Sequence, residues 1–186
     1  GLVGAREITE HEGWIPVGYL WARTIPCQNP ACGAEIPLAG QFWLSKKKKK
    51  QIAYRPIETD QDNRVLFDIL PSAMAIKAAQ FDPSIGTVTR SDARCPTCEQ
   101  ITKAKQVRML AQQGKLGDRP VVMVLHHPRQ IGKRYRLVTP EDEQNIAEAT
   151  RYLEEKLATW PHLESPLPTE QIPLMSGTFN VPIYGI

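Results

Sequence analysis

The feature that most constrains this chain is its four cysteines, which fall in two pairs: Cys27 and Cys32 in CQNPACG, and Cys95 and Cys98 in CPTCE. Each pair follows a strand-like segment and sits among Pro, Asn or Gly, the composition of a tight turn. A zinc knuckle needs such a turn, because two thiolates must point at one tetrahedral centre ~2.3 Å away while backbone N–H groups face the sulfurs. Two knuckles would supply four sulfurs and close the site, which makes it structural rather than catalytic. Cys27, Cys32, Cys95 and Cys98 are therefore the expected ligands of a structural zinc ion. The first pair has four intervening residues, still within the usual range. The segment 33–94 between the pairs is far longer than the ~15–20 residues common in this arrangement. Loop closure grows with the logarithm of length, so the excess adds about 1 kcal/mol, against roughly 10–16 kcal/mol of zinc binding in small domains. Two disulfides are the rival reading, disfavoured in a reducing compartment. A redox Cys-x-x-Cys at Cys95 and Cys98 would leave the first pair unexplained.

Composition narrows the class. Of 186 residues, 41% are hydrophobic and 23% charged, enough for one domain with arms and a buried core. The longest apolar runs, such as Val121–Leu125, fall far short of the ~20 residues of a membrane span, and the N-terminal residues do not read as a signal peptide. A cytoplasmic protein with no membrane partner is expected, and collagen, coiled-coil and disordered classes are excluded. A net charge of +3 does not by itself identify a nucleic-acid partner. Residues 160–186 combine five prolines with many large apolar groups and no Lys or Arg. They read as an extended arm that lies either on the chain's own core or on a neighbour. With Gly at position 1 and an ending in VPIYGI, the chain reads as a piece of a longer protein. The expected organisation is an N-terminal arm 1–18, a zinc-ribbon domain 19–159 and the extended Pro-rich apolar arm 160–186.

Strand-like segments dominate the first two-thirds: 19–25, 41–45, 52–57, 64–70, 87–94 and 120–126, with 135–138 as partner of the last. The polar segment 59–63 predicts a hairpin between 52–57 and 64–70. Helices come late. Residues 103–113 place Ala104, Val107 and Ala111 on one stripe, with Gly114 as C-terminal cap. A second helix starts with Thr139 as N-cap, Pro140 and three acids, and stops at Trp160-Pro161. Residues 71–81 suggest a short third helix. The expected fold is α+β, an antiparallel sheet with a four-cysteine zinc ribbon and two or three helices.

Lys46, Lys47, Lys48, Lys49 and Lys50 form an uninterrupted run between two expected strands. Such a run is either a solvated loop face or a phosphate-attracting one. Lys103, Lys105 and Arg108 on the first late helix form a second basic group, and Arg129, Lys133, Arg134 and Arg136 a third; acids concentrate between Glu141 and Glu155. Trp21, Phe42, Trp43 and Tyr54 could stack on bases, although at strand spacing such aromatics more often form core. Adjacent His126 and His127 point to opposite faces of a strand and cannot easily share a ligand, so a self-satisfied loop pair is expected. Gly-x-Gly-x-x-Gly, P-loop, Gly-x-Ser-x-Gly and His-Glu-x-x-His patterns are absent, so no catalysis is expected of these residues.

Five stretches together resemble one family: Tyr19–Leu38 (YLWARTIPCQNPACGAEIPL), Phe42–Lys48 (FWLSKKK), Gly86–Arg90 (GTVTR), Cys95–Cys98 (CPTC) and Gly177–Gly185 (GTFNVPIYG). They are similar to the central region of bacterial and archaeal adenine-specific DNA methylases that contain a zinc ribbon, a region often described as a domain of unknown function. The resemblance runs from about Trp14 to the last residue. In that family the ribbon lies between an S-adenosylmethionine-binding segment and an Asp-Pro-Pro-Tyr segment, neither of which occurs here. The resemblance thus implies only that the four cysteines ligate zinc. It assigns methyl transfer and S-adenosylmethionine to the parent enzyme, and suggests DNA as partner. One departure is Glu99, where the family more often has Gly after the last cysteine; a left-handed turn there is less comfortable for Glu. A protein-interaction or scaffolding module without nucleic-acid contact is the alternative.

Overall fold

The computed structural model describes residues 13–161. Along the chain these form β1 (Ile15–Pro26), β2 (Glu35–Pro37), β3 (Trp43–Lys47), β4 (Lys50–Thr59), β5 (Val65–Leu70), α1 (Ala73–Ala78), β6 (Val88–Thr89), β7 (Asp92–Arg94), β8 (Ile101–Thr102), α2 (Ala104–Gln112), β9 (Gly117–His126), β10 (Lys133–Leu137) and α3 (Pro140–Ala158). All strand pairs are antiparallel, in sheets ordered β10-β9-β1-β2, β3-β4-β5 and β6-β7-β8. The fold is α+β with three helices, as the pattern of strands and late helices predicts. Among the described residues, those up to Val138 form one compact unit and those from Thr139 a second. No helix among the described residues is long and apolar enough to cross a membrane.

The β-branched run in β9 is the spine of the first sheet. Val121, Val122, Met123 and Leu125 are buried, and β1 lies along β9 from Ile15 opposite His126 to Thr24 opposite Gly117. β1 thus begins at Ile15, not Tyr19, so residues 15–18 belong to a strand rather than to the N-terminal arm. Pro16 and Gly18 hid it. They interrupt a strand pattern, and the structure accommodates them at an irregularity in register between Pro16 and Gly18. The rest of that arm, and residues 162–186 of the Pro-rich arm, lie outside the described residues.

Ala22, Val121 and Val122 of the first sheet pack with Phe42, Val65 and Phe67 around the second. Phe42 meets Tyr54 edge-on at 5.1 Å, so these two aromatics are core, the reading that their strand spacing favours. Trp43 donates from Nε1 to Ser84 Oγ at 3.0 Å; Trp21 alone of the four is open, at 51% exposure. The hairpin expected around 59–63 joins β4 and β5; Asp60 Oδ1 accepts from Asp62 N and Arg64 N at 2.9 and 2.8 Å. The short helix suggested in 71–81 is α1, capped by Ser72, whose Oγ accepts from Ala75 N at 3.1 Å.

The predicted strand 87–94 is two strands, β6 and β7. Arg90 and Ser91 turn between them with φ of 49° and 71°. Positive φ at both central residues is the geometry of a tight hairpin normally made by Asn-Gly, so the sequence carried no turn signal. Just before β6, the chain lies directly on the residues after β2. A Cβ on Gly86 would stand 2.0 Å from the Ala39 carbonyl oxygen and 2.4 Å from the Gly40 carbonyl carbon. Thr87 Oγ1 donates to the Pro37 carbonyl and accepts from Ala39 N, and Val88 N donates to Ala39 O at 3.1 Å. This splice carries the third sheet to the end of the first.

In the second unit α3 begins as predicted. Thr139 is the N-cap, Asp142 Oδ2 accepts from Thr139 N at 2.8 Å, and three acids occupy the positive end of the helix dipole.

Because the atoms facing Gly86 are backbone, Gly86→Ala should cost about 3 kcal/mol in urea unfolding of the metal-loaded chain. Gly40→Ala, with open space around its Cβ position, should cost well under half of that.

Candidate metal centre

The first knuckle is the loop between β1 and β2. β1 ends at Pro26 and β2 starts at Glu35, with Ile25 opposite Ile36, so the loop must reverse within Cys27–Ala34. It does so through Cys27 N to Ala34 O at 2.8 Å, Cys32 N to Asn29 O at 2.9 Å, and an Asx turn from Ala31 N to Asn29 Oδ1 at 3.0 Å. The second knuckle joins β7 to β8 and is closed by Cys95 N to Gln100 O at 2.9 Å and Glu99 N to Cys95 O at 3.0 Å. The two share a backbone device. The residue after each second cysteine is left-handed: Gly33 with φ 62° and Glu99 with φ 61°.

The strands bring all four sulfurs together, with Sγ atoms within 4.8 Å of one another. Cys27 Sγ lies 3.6 Å from Cys98 Sγ, and Cys32 Sγ 3.9 Å from Cys95 Sγ. Ligands ~2.3 Å from a tetrahedral zinc stand about 3.8 Å apart, whereas a disulfide requires ~2.05 Å. These separations fit a shared metal ion and leave all four cysteines free. Each close sulfur pair joins one knuckle to the other, so the centre is a tertiary cross-link. Backbone N–H groups of Asn29, Ala34 and Gln100 donate to the sulfurs of Cys27, Cys32 and Cys98. These are the donors expected to offset thiolate charge in a knuckle.

Around the sulfurs lies an apolar shell of Ile25, Ala34, Ile36, Ala93 and Leu110, with Val107 and Leu116 beside it. Cys95 and Cys27 are buried, and Cys32 and Cys98 half-buried. α2 supplies Leu110, a residue off the stripe read from sequence. Asp92 anchors the start of that helix, accepting from Ala104 N at 2.9 Å and pairing with Lys103 Nζ at 2.8 Å. On the other side Arg119 Nη1 of β9 bonds Glu35 Oε2 and the Val65 carbonyl, both at 2.7 Å, tying the first knuckle's exit strand to β9 and β5. This largely buried pair was invisible in sequence, its partners being 84 residues apart.

The thiols are electrostatically unequal. Burial pushes Cys27 up to about 12, against the opposing pull of the Asn29 N–H. Cys32 is also raised: the Ala34 N–H favours its thiolate, but burial and the neighbouring sulfurs together outweigh it. Cys98 is lowered to about 7, chiefly by the Gln100 N–H. Without a cation the cluster therefore holds protons at neutral pH, and a metal ion must displace them.

The other predicted site residues lie apart from this centre in role. Lys46–Lys50 form the tip of the β3–β4 hairpin: Lys47 pairs with Lys50, and Lys48 and Lys49 make the turn. All five are exposed. Lys46, Lys47 and Lys50 thus extend the strands instead of filling a loop. Lys103 is committed to Asp92, while Lys105 and Arg108 are exposed on α2. His127 is a loop residue whose Nδ1 accepts from Arg129 N at 3.0 Å, with its ring 5.4 Å from that of Trp14, in line with a self-satisfied histidine.

Two outcomes follow from the knuckle chemistry. Gly33→Ala has room for its Cβ, 3.8 Å from Asn63 Nδ2, and should cost about 1–2 kcal/mol from backbone strain alone. Glu99→Gly should cost nothing or add up to ~1 kcal/mol, because relief of the same strain outweighs an exposed ion pair with Arg94. Thermal melts of the metal-loaded variants read both. Metal uptake should release more protons at pH 6 than at pH 8, since the Cys98 thiol, lowered to about 7, loses its proton between them; calorimetry in buffers of different ionisation enthalpy counts them. The converse order would contradict the assignment. Comparison with known families, with curated proteins and with solved structures finds no match to this chain.

Proposed function

We propose that this region is a zinc-stabilised, nucleic-acid-binding accessory module of an adenine-specific DNA methyltransferase. The observation that carries the zinc half is the tetrad: four sulfurs at separations of 3.6 Å upwards, contributed by two knuckles with their own N–H donors. Closed on all four corners, the ion holds the knuckles and does not meet a substrate. The nucleic-acid half rests on the lysine hairpin. Five exposed ammonium groups crowd one two-residue turn, and none of Lys46–Lys49 has an acidic partner among the described residues. Like charges gathered so densely repel one another, an arrangement that a polyanion would relieve. The resemblance in the sequence favours DNA as that polyanion. On this reading the module leans on the phosphate backbone while other parts of the parent enzyme bind S-adenosylmethionine, flip the adenine and transfer the methyl group. It works in the cytoplasm.

A scaffolding role is the second reading. Val17 and Trp21 on β1 stand 52% and 51% exposed, the kind of apolar surface that a partner protein covers.

Replacing Lys46–Lys49 with Ser separates the two. Lys50 is left intact because its ammonium is bonded to a carbonyl. With the lysines on DNA, log K against log salt for a duplex should flatten by about 2–4. Unchanged affinity and slope would reject the lysine role and favour scaffolding.

A further inference from the structure

The lysine hairpin does not stand alone. Lys50 Nζ donates to the carbonyl of Lys133, 83 residues away at the start of β10. The approach is built into the backbone: Gly132 takes φ 106°, and a Cβ there would stand 3.3 Å from that ammonium. The contact therefore holds the tip of the β9–β10 hairpin against the tip of the β3–β4 hairpin. The second tip is also cationic. Arg129 and Lys133 are exposed, and neither has an acidic partner among the described residues. Between them Ile131 is fully exposed at 107%. Folding thus brings two basic hairpins together, although Coulomb repulsion disfavours the pairing.

We propose that the nucleic-acid surface is a composite of these two hairpin tips, with Arg129 and Lys133 contacting phosphates beside those engaged by Lys46–Lys49. The inference rests on the nucleic-acid reading above and extends it from one lysine run to a two-ribbon surface. Lys50 is its positioning residue, since its ammonium fixes one tip to the other. A duplex suits this better than a lipid surface. The affinity offered is almost wholly ionic, and the one apolar group at the apex, Ile131, buries at most a single side chain's worth of area. Its side chain can lie against sugars or a groove wall between phosphate contacts.

The test uses the full chain, metal-loaded, with a fluorescent 20-base-pair duplex titrated at several salt concentrations. Arg129→Gln with Lys133→Gln should weaken binding roughly tenfold at low salt and flatten the salt slope by about 2. Bound metal per chain should stay unchanged, which shows that the variant folds. Wild-type affinity and slope in this variant, with a flattened slope on replacing Lys46–Lys49, would overturn the composite surface and leave the single-hairpin reading intact. If the unaltered chain fails to bind duplex at low salt, the nucleic-acid reading fails and the composite falls with it. Phosphatidylserine vesicles supply the remaining arm: binding there that exceeds binding to DNA and is lost in Ile131→Ser would assign the surface to a membrane and overturn the proposal.

Discussion

Four thiols within 4.8 Å of one another set the central constraint. As thiolates they repel strongly; as thiols they are small apolar groups with weak hydrogen bonds. A divalent cation changes both, because it converts mutual repulsion into a shared attraction and fixes each sulfur at bonding distance. The opposite directions taken by Cys27 and Cys98 show a site between these limits. Burial keeps protons on one sulfur while a peptide N–H stabilises charge on the other.

The surrounding fold delivers that cross-link. β1 runs against β9 and hands the first knuckle to the end of the sheet, where Arg119 clamps its exit strand through Glu35. The Gly86–Val88 segment lies on residues 37–39 and brings the second knuckle alongside, with the side-chain-free position that such close backbone contact requires. α2 closes the apolar shell with Leu110. No single element carries the site. A metal ion held by the tetrad would join a local turn in the first sheet to a local turn in the third, and the splice between them sets their distance.

What was legible in the sequence were the features written in local spacing. Two cysteine turns, the β4–β5 hairpin, the Thr139 cap and the late position of the helices each depend on residues a few positions apart. Features that arise from tertiary contact were not legible. Pro16 and Gly18 argue against a strand until β9 is present to pair around them. Arg90 and Ser91 make a tight turn with residues that do not favour it. The Arg119–Glu35 pair and the Lys50–Lys133 contact span 84 and 83 residues. Five adjacent lysines looked like a solvated loop or a phosphate contact; only the fold sets them against a second cationic tip. Glu99 shows the reverse case. Its departure from glycine was visible in sequence, and the structure places it in the left-handed conformation that makes the departure costly.

The account depends on one metal ion bridging both knuckles. Elemental mass spectrometry of protein purified without added metal, combined with a thiol count, tests this directly. The predicted result is one zinc per chain, with all four thiols unreactive until a chelator is added. Metal-free chains with four reactive thiols, or with two disulfides, would contradict it.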